Sequence, residues 1–124
     1  MLAINYCFHS HTSRCGHATG TDEEYVLEAI KAGIKNMGFS DHVFIPNRPQ
    51  RGIRGNYEEL DDYISSVRAL ASKYKDKINI FVGFEAEDYN EISNDYYRDL
   101  LKNKIDYLIR FFQYYVHQYQ LKLS

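Results

Sequence analysis

His9 and His11 stand two residues apart in the stretch FHSHTSRCGH, and His17 follows six positions later. On extended backbone a spacing of two aims both rings to the same side, which suits chelation of one metal ion by neutral imidazoles. His42 comes next, in GFSDH, and Glu85 and Glu87 follow in GFEAEDY. Four imidazoles and at least one carboxylate, with Glu85 able to bridge, make a donor set suited to Zn, Mn or Fe rather than to Mg or Ca. Taken singly, His17 and His42 read as hydrogen-bonded structural histidines, Glu85 and Glu87 as solvated or helix-starting acids, and Asp41 as a turn cap. Taken together, four of the chain's five histidines are expected at strand ends or on the loop leaving one. That joint placement favours a metal site.

The elements that must position these residues alternate between short apolar runs and helix-period stretches. MLAINYCF reads as a first strand. Thr21 and Glu24 form a capping box that opens a helix with Tyr25, Val26, Ala29 and Ile30 on one face, and Gly33 is placed to end it. IKNMGFS is a short second strand stopping at Asp41-His42, followed by the irregular loop FIPNRPQRGIRGN. Asn56 caps a long helix with Leu60, Ile64, Val67, Leu70 and Ala71 at core spacing. KINIFVGFE is the clearest strand, and a third helix over about residues 94–103 precedes a fourth strand, IDYLI. The pattern βαβαβαβ predicts an α/β fold of parallel strands with crossover helices. The carboxyl ends of parallel strands open on one face. His9 and His11, Asp41 and His42, and Glu85 and Glu87 are therefore expected to converge there.

Composition narrows the classes of function. A chain of 124 residues fits one domain. A formal net charge of −2 gives no electrostatic case for nucleic acid or an anionic membrane as main partner. No apolar run reaches the roughly 20 residues of a membrane helix, and the first residues have no signal-peptide pattern, so a cytoplasmic location is expected. Cys7 and Cys15 are expected as reduced thiols.

HSHTSRCGH, GFSDH and GFEAEDY, taken in order, resemble the first motifs of the polymerase and histidinol phosphatase (PHP) superfamily. TDEEYVLEAIKAGIKNMGFSDH and YEELDDYISSVRALASKYKDKINIFVGFEAEDY are similar to its histidinol-phosphatase branch. The resemblance runs from about residue 4 to residue 109. It implies the N-terminal portion of a distorted seven-stranded, TIM-like (β/α) barrel with up to three divalent metal ions at its C-terminal mouth. It also implies metal-assisted hydrolysis of a small phosphate monoester, in this branch L-histidinol phosphate of histidine biosynthesis. By motif, His9 and His11 would bind a first ion and Glu85 would bridge it to a second, with Glu85 and His11 carrying catalysis. His17 and His42 would hold a third ion, and Glu87 stands where the branch often has a second acid. Arg48, Arg51 and Arg54 could reach the substrate phosphate as charge-assisted donors, against a plainer reading as a solvated basic loop.

Two features depart from the family pattern. Cys7 stands two residues before His9, where an aspartate is common, and reads as a buried strand residue. After IDYLI the family's later histidines and Asp-x-His pair have no counterpart in RFFQYYVHQYQLKLS, where His117 does not match in spacing. Residues 1–109 are thus expected to be a partial PHP domain and 110–124 an atypical aromatic tail. Either the gene is frame-shifted or truncated, or a short protein uses the tail or its open sheet edges to form a homo-oligomer. From His117 onward, alternating Tyr119, Leu121 and Leu123 allow a final strand. Weak or absent activity of this chain alone is the expectation. The alternatives are a PHP phosphoesterase of other specificity and a non-catalytic metal-binding fragment.

Overall fold

The computed structural model describes residues 6–16, 19–46, 55–87, 94–112 and 115–121. Strand β1 (Tyr6–Cys7) leads through a 3-10 turn (Ser13–Cys15) to helix α1 (Asp22–Lys31) and strand β2 (Asn36–His42). Helix α2 (Leu60–Lys73), strand β3 (Asn79–Glu87), helix α3 (Asn94–Asn103) and strand β4 (Tyr107–Phe112) follow, and strand β5 (Tyr115–Leu121) ends the order. The sheet runs β1-β2-β3-β4-β5, parallel through β4. This is the α/β arrangement with crossover helices expected from the alternating pattern.

Local chemistry sets these boundaries. Thr21 Oγ1 accepts from the Glu24 N–H at 3.2 Å while Glu24 reaches back to the Thr21 N–H at 3.3 Å. This capping box satisfies two donors at the start of α1. At the other end Gly33 adopts φ 85°, its N–H goes to the Ile30 carbonyl, and the Ile34 N–H goes to that of Ala29. That pair of bonds is a Schellman stop, for which glycine is the low-strain residue. Asn56 starts a 3-10 turn (Tyr57–Glu59) that runs straight into α2, and Glu59 accepts from the Asn56 N–H at 3.1 Å. Among the described residues no helix is long and apolar enough to cross a membrane.

The helix-covered face of the sheet holds the main core. Val26 and Ala29 of α1 and Leu60, Tyr63, Val67 and Leu70 of α2 bury against Phe39, Val82 and Phe84. Ile64 and Ala71, expected at core spacing, are only partly buried, and Tyr63 takes the central position instead. Its ring packs near Phe44 and Phe84, and its hydroxyl donates to the Gly83 carbonyl at 2.7 Å while accepting from the Asp41 N–H at 3.3 Å. A tyrosine can be fully buried here because both hydroxyl functions are used.

The opposite face is built around Tyr107. Its ring lies across the glycine positions of two neighbouring strands, Gly38 and Gly83, and its hydroxyl donates to the Phe8 carbonyl at 2.7 Å. Phe8 meets Tyr107 edge-on at 5.6 Å and Phe81 at 5.7 Å. Tyr107 therefore braces β4 to the residue just before His9.

Three strand limits differ from the sequence expectation. β2 does not stop before Asp41-His42, because its ladder continues through Asp41 opposite Phe84 and His42 opposite Glu85. β3 likewise runs on to Glu87, past the Glu85 that ends the expected strand KINIFVGFE. Both extensions follow from mutual pairing of backbone groups that would otherwise be left unsatisfied. β4 continues past Ile109 to Phe112, and β5 pairs with it antiparallel. Two intervening residues suffice for a reversal but are far too few for a crossover.

Candidate metal centre

The site forms where β1, β2 and β3 end side by side. His9 and His11 lie on the loop leaving β1, His42 is the last residue of β2, and Glu85 sits opposite it on β3. A Ser40 N–H bond to the Ser10 carbonyl at 2.7 Å fastens the loop between the two histidines to β2. Parallel pairing thus converts positions up to 76 residues apart in the chain into one cluster.

His9 Nε2 lies 3.1 Å from Glu85 Oε2, His11 Nε2 lies 2.9 Å from the same oxygen, and the two Nε2 atoms are 3.2 Å apart. His42 Nδ1 faces that oxygen at 3.7 Å. Metal bonds of about 2.0–2.2 Å to histidine nitrogen and carboxylate oxygen set neighbouring donors roughly 2.8–3.6 Å apart, from octahedral to tetrahedral angles. The His9–His11–Glu85 triangle has edges in that range. These three residues form a group able to hold a metal ion, and their mixture of two imidazoles and a carboxylate suits a transition metal better than Mg or Ca.

The electrostatics agree with this donor role. Burial works against the charged form of Glu85, but hydrogen bonds from His11 and His9 and the charges of His42 and His9 outweigh it and lower its pKa to about 2. His11 moves the other way. Its hydrogen bond to Glu85 raises its pKa against burial, helped by the charges of Glu85 and Asp41. Without metal, the lowered Glu85 contributes stability above its ordinary 4.5 that is lost as pH falls towards about 2. The raised His11 contributes stability below its ordinary 6.5 that is lost as pH rises through its shifted value. A metal must displace the His11 proton, so zinc affinity should climb between pH 6 and 8, by at most about tenfold per unit for one proton. Competition titrations at pH 6, 7 and 8 check this, and a flat profile would contradict it.

The remaining expected site residues fall as follows. His17, Arg48, Arg51 and Arg54 lie outside the described residues. Glu87 is the last residue of β3, and its side chain lies outside the description. Cys7 is a half-buried free thiol 3.5 Å from Ser10 Oγ.

Asp41 was expected near the site, but its role, like that of Arg14, escaped sequence reasoning. Asp41 does not cap a turn; it is a fully buried strand residue whose carboxylate accepts both the N–H and the hydroxyl of Thr12. Aspartate is depleted in strands, so its position inside the GFSDH run was the available signal. Arg14 grips Asp22 through Nη1 at 3.0 and 3.1 Å, and Asp62 through Nε and Nη2 at 3.2 and 2.7 Å. It ties the ligand loop to α1 and α2, and no spacing rule in the sequence pointed to it.

Known proteins share this architecture. A probable histidinol-phosphatase of Deinococcus radiodurans is 35% identical over 79 residues, covering 64% of this chain and 30% of its own length. One from Schizosaccharomyces pombe is 29% identical over 110 residues, covering 82% of this chain and 36% of its own. This chain spans about a third of the length of the curated relatives it matches. The solved histidinol phosphate phosphatase of Lactococcus lactis, complexed with zinc, L-histidinol and phosphate, superposes with a TM-score of 0.68 at 22% identity. The match covers 86% of this chain and 39% of that one. The PHP domain family model matches residues 8–123, and the chain belongs to the PHP domain family.

Proposed function

We propose that the chain is a metal-dependent phosphate monoester hydrolase of the histidinol-phosphatase type, acting on L-histidinol phosphate. The observation that carries this reading is the triangle of His9 Nε2, His11 Nε2 and Glu85 Oε2 at the carboxyl ends of parallel strands. The similarity to histidinol-phosphatases supports the choice of substrate. Zinc is the ion suggested by the Lactococcus lactis complex, and the donor types also accept Mn or Fe.

His9, His11 and Glu85 would hold the first ion, and His42, facing Glu85 Oε2 at 3.7 Å, would belong with His17 to a further ion. Held there, a divalent ion would supply Lewis-acid chemistry for phosphate ester hydrolysis. The chain's own part is to keep two neutral imidazoles and one ionised carboxylate aimed at a common point, where they would hold the ion. Glu85 stays ionised through neutral pH because of its depressed pKa, so no proton need leave it before the ion arrives. His17 remains a proposed donor to a further ion, as do Glu87 as a second acid and Arg48, Arg51 and Arg54 as phosphate contacts. The chemistry resides within residues 1–109, the segment read as a partial domain.

Among the described residues the clustered donors suffice for one ion, so turnover by this chain alone is expected to be slow. Phosphate release from L-histidinol phosphate, measured with zinc or manganese and after chelation, tests the proposal. The expected result is release at least tenfold above the chelated control, preferring L-histidinol phosphate over a panel of other phosphomonoesters. Release from another ester alone would favour a different PHP specificity. No metal-dependent release from any ester, with metal bound, would leave a non-catalytic metal-binding unit.

A further inference from the structure

We propose that Asp41 is a positioning residue for the metal centre. Its buried carboxylate locks the loop bearing His9 and His11 onto β2 and sets a negative charge behind the His11 ring. The inference rests on reading His9, His11 and Glu85 as metal donors.

Asp41 has no solvent exposure, in a strand between Ser40 and His42. Burying a carboxylate is costly unless it is hydrogen-bonded and near compensating charge. Here both oxygens are committed to a single residue, Thr12, one taking its N–H and the other its hydroxyl. Thr12 directly follows His11, so this two-point attachment fixes the backbone that carries the ligand pair. Thr12 also caps the 3-10 turn that follows, its Oγ1 accepting from the Arg14 N–H at 3.3 Å. Asp41 Oδ1 then faces His11 Nδ1 at 3.9 Å, on the side of the ring away from the Nε2 that meets Glu85.

That arrangement is more than a fold requires. Asparagine at position 41 could keep both partners, its oxygen taking the Thr12 N–H and its amide donating to the Thr12 hydroxyl. What asparagine lacks is the charge. At 3.9 Å the Asp41 carboxylate acts on the His11 ring through its charge, which makes the imidazole a stronger donor, and loss of a supporting group behind a ligand typically weakens metal binding about 10–100-fold. His42, the next residue, points to the other face and reaches Glu85. One strand therefore supplies a candidate ligand on one side and the support for another on the other side.

The test compares zinc affinity, by competition with a chromogenic chelator, with the melting temperature of the metal-free protein. Asp41→Asn should bind zinc about tenfold or more weakly while keeping slow hydrogen exchange at the Thr12 amide. Tyr63→Phe perturbs the same buried polar group by removing the bonds to the Asp41 N–H and the Gly83 carbonyl. It should lower the melting temperature and leave zinc affinity within about threefold. Thr12→Val should weaken zinc binding, and Thr12→Ser should restore it. The Thr12 pair decides the matter should Asp41→Asn fail to fold. Wild-type affinity in Asp41→Asn, equal affinities in the two Thr12 variants, or affinities that follow melting temperature through Tyr63→Phe would each overturn the proposal. A wild-type protein that binds no zinc refutes the donor reading and this inference with it. Wild-type binding with an unaltered Asp41→Asn refutes this inference alone.

Discussion

Glu85→Gln is expected to weaken zinc binding by about 100-fold or more and to abolish metal-dependent phosphate release. Its Oε2 is the atom on which the imidazoles converge, 3.1 Å from His9, 2.9 Å from His11 and 3.7 Å from His42. A neutral amide of the same shape fills the space but lacks the negative charge that offsets a divalent ion, and carboxylate oxygen is among the ordinary ligands of Zn. The variant should fold, because Glu85 sits at the mouth of the sheet and not in its core. Without metal its effect should depend on pH. The pairing of Glu85 with protonated His11 is present between about pH 4.5 and 6.5 and fades above the raised His11 pKa, so destabilisation should be larger at pH 5.5 than at pH 8. Chelator competition and melting curves at the two pH values measure both effects. Undiminished zinc affinity would contradict the assignment of Glu85.

Gly83→Ala should cause the largest loss of stability of any single methyl added to the sheet's brace. A Cβ there would lie 2.5 Å from the Tyr107 carbonyl oxygen and 2.7 Å from its ring. The first is backbone of the paired strand, opposite Gly83 in the ladder, and cannot swing aside as a side chain could. Overpacking of this kind costs about 1–3 kcal/mol, with rigid neighbours at the upper end. A melting temperature lower by roughly 10 °C is the expected reading. Displacing Tyr107 also loosens its bond to the Phe8 carbonyl, next to His9, so zinc affinity should fall as well. Gly33→Ala is a useful contrast, because nothing lies within 4 Å of its Cβ and only the left-handed φ of 85° opposes it. Its cost should be backbone strain alone, with zinc affinity unchanged.

Much of this architecture was legible in the sequence because it depends on local signals. The Thr21–Glu24 box, the Gly33 stop and the β-branched run through Val82 each carry their own geometry, and parallel strand direction follows from connections long enough to cross over. The convergence of His9, His11, His42 and Glu85 was legible for the same reason, since parallel strands leave few alternatives for where their ends lie. What was not legible depends on contacts between distant residues. Tyr63 shares the helical face of Leu60, Val67 and Leu70, but nothing local shows that its hydroxyl bonds Gly83 and Asp41. Asp41 looks like a turn former, and only the proximity of Thr12, 29 positions away, turns it into a buried anchor. The strand ends were placed too early because Asp41 and Glu87 are poor strand formers taken alone. Pairing between neighbours overrides that preference. The reversal from β4 to β5 was only partly visible, in the alternation from His117 onward.

The central claim is that His9, His11 and Glu85 hold one divalent ion between them. Crystals grown with zinc and measured on both sides of the zinc absorption edge test it most directly. The expected result is an anomalous peak at about 2.0–2.2 Å from His9 Nε2, His11 Nε2 and Glu85 Oε2. A zinc ion bound elsewhere, with these three side chains still in contact only with one another, would contradict it.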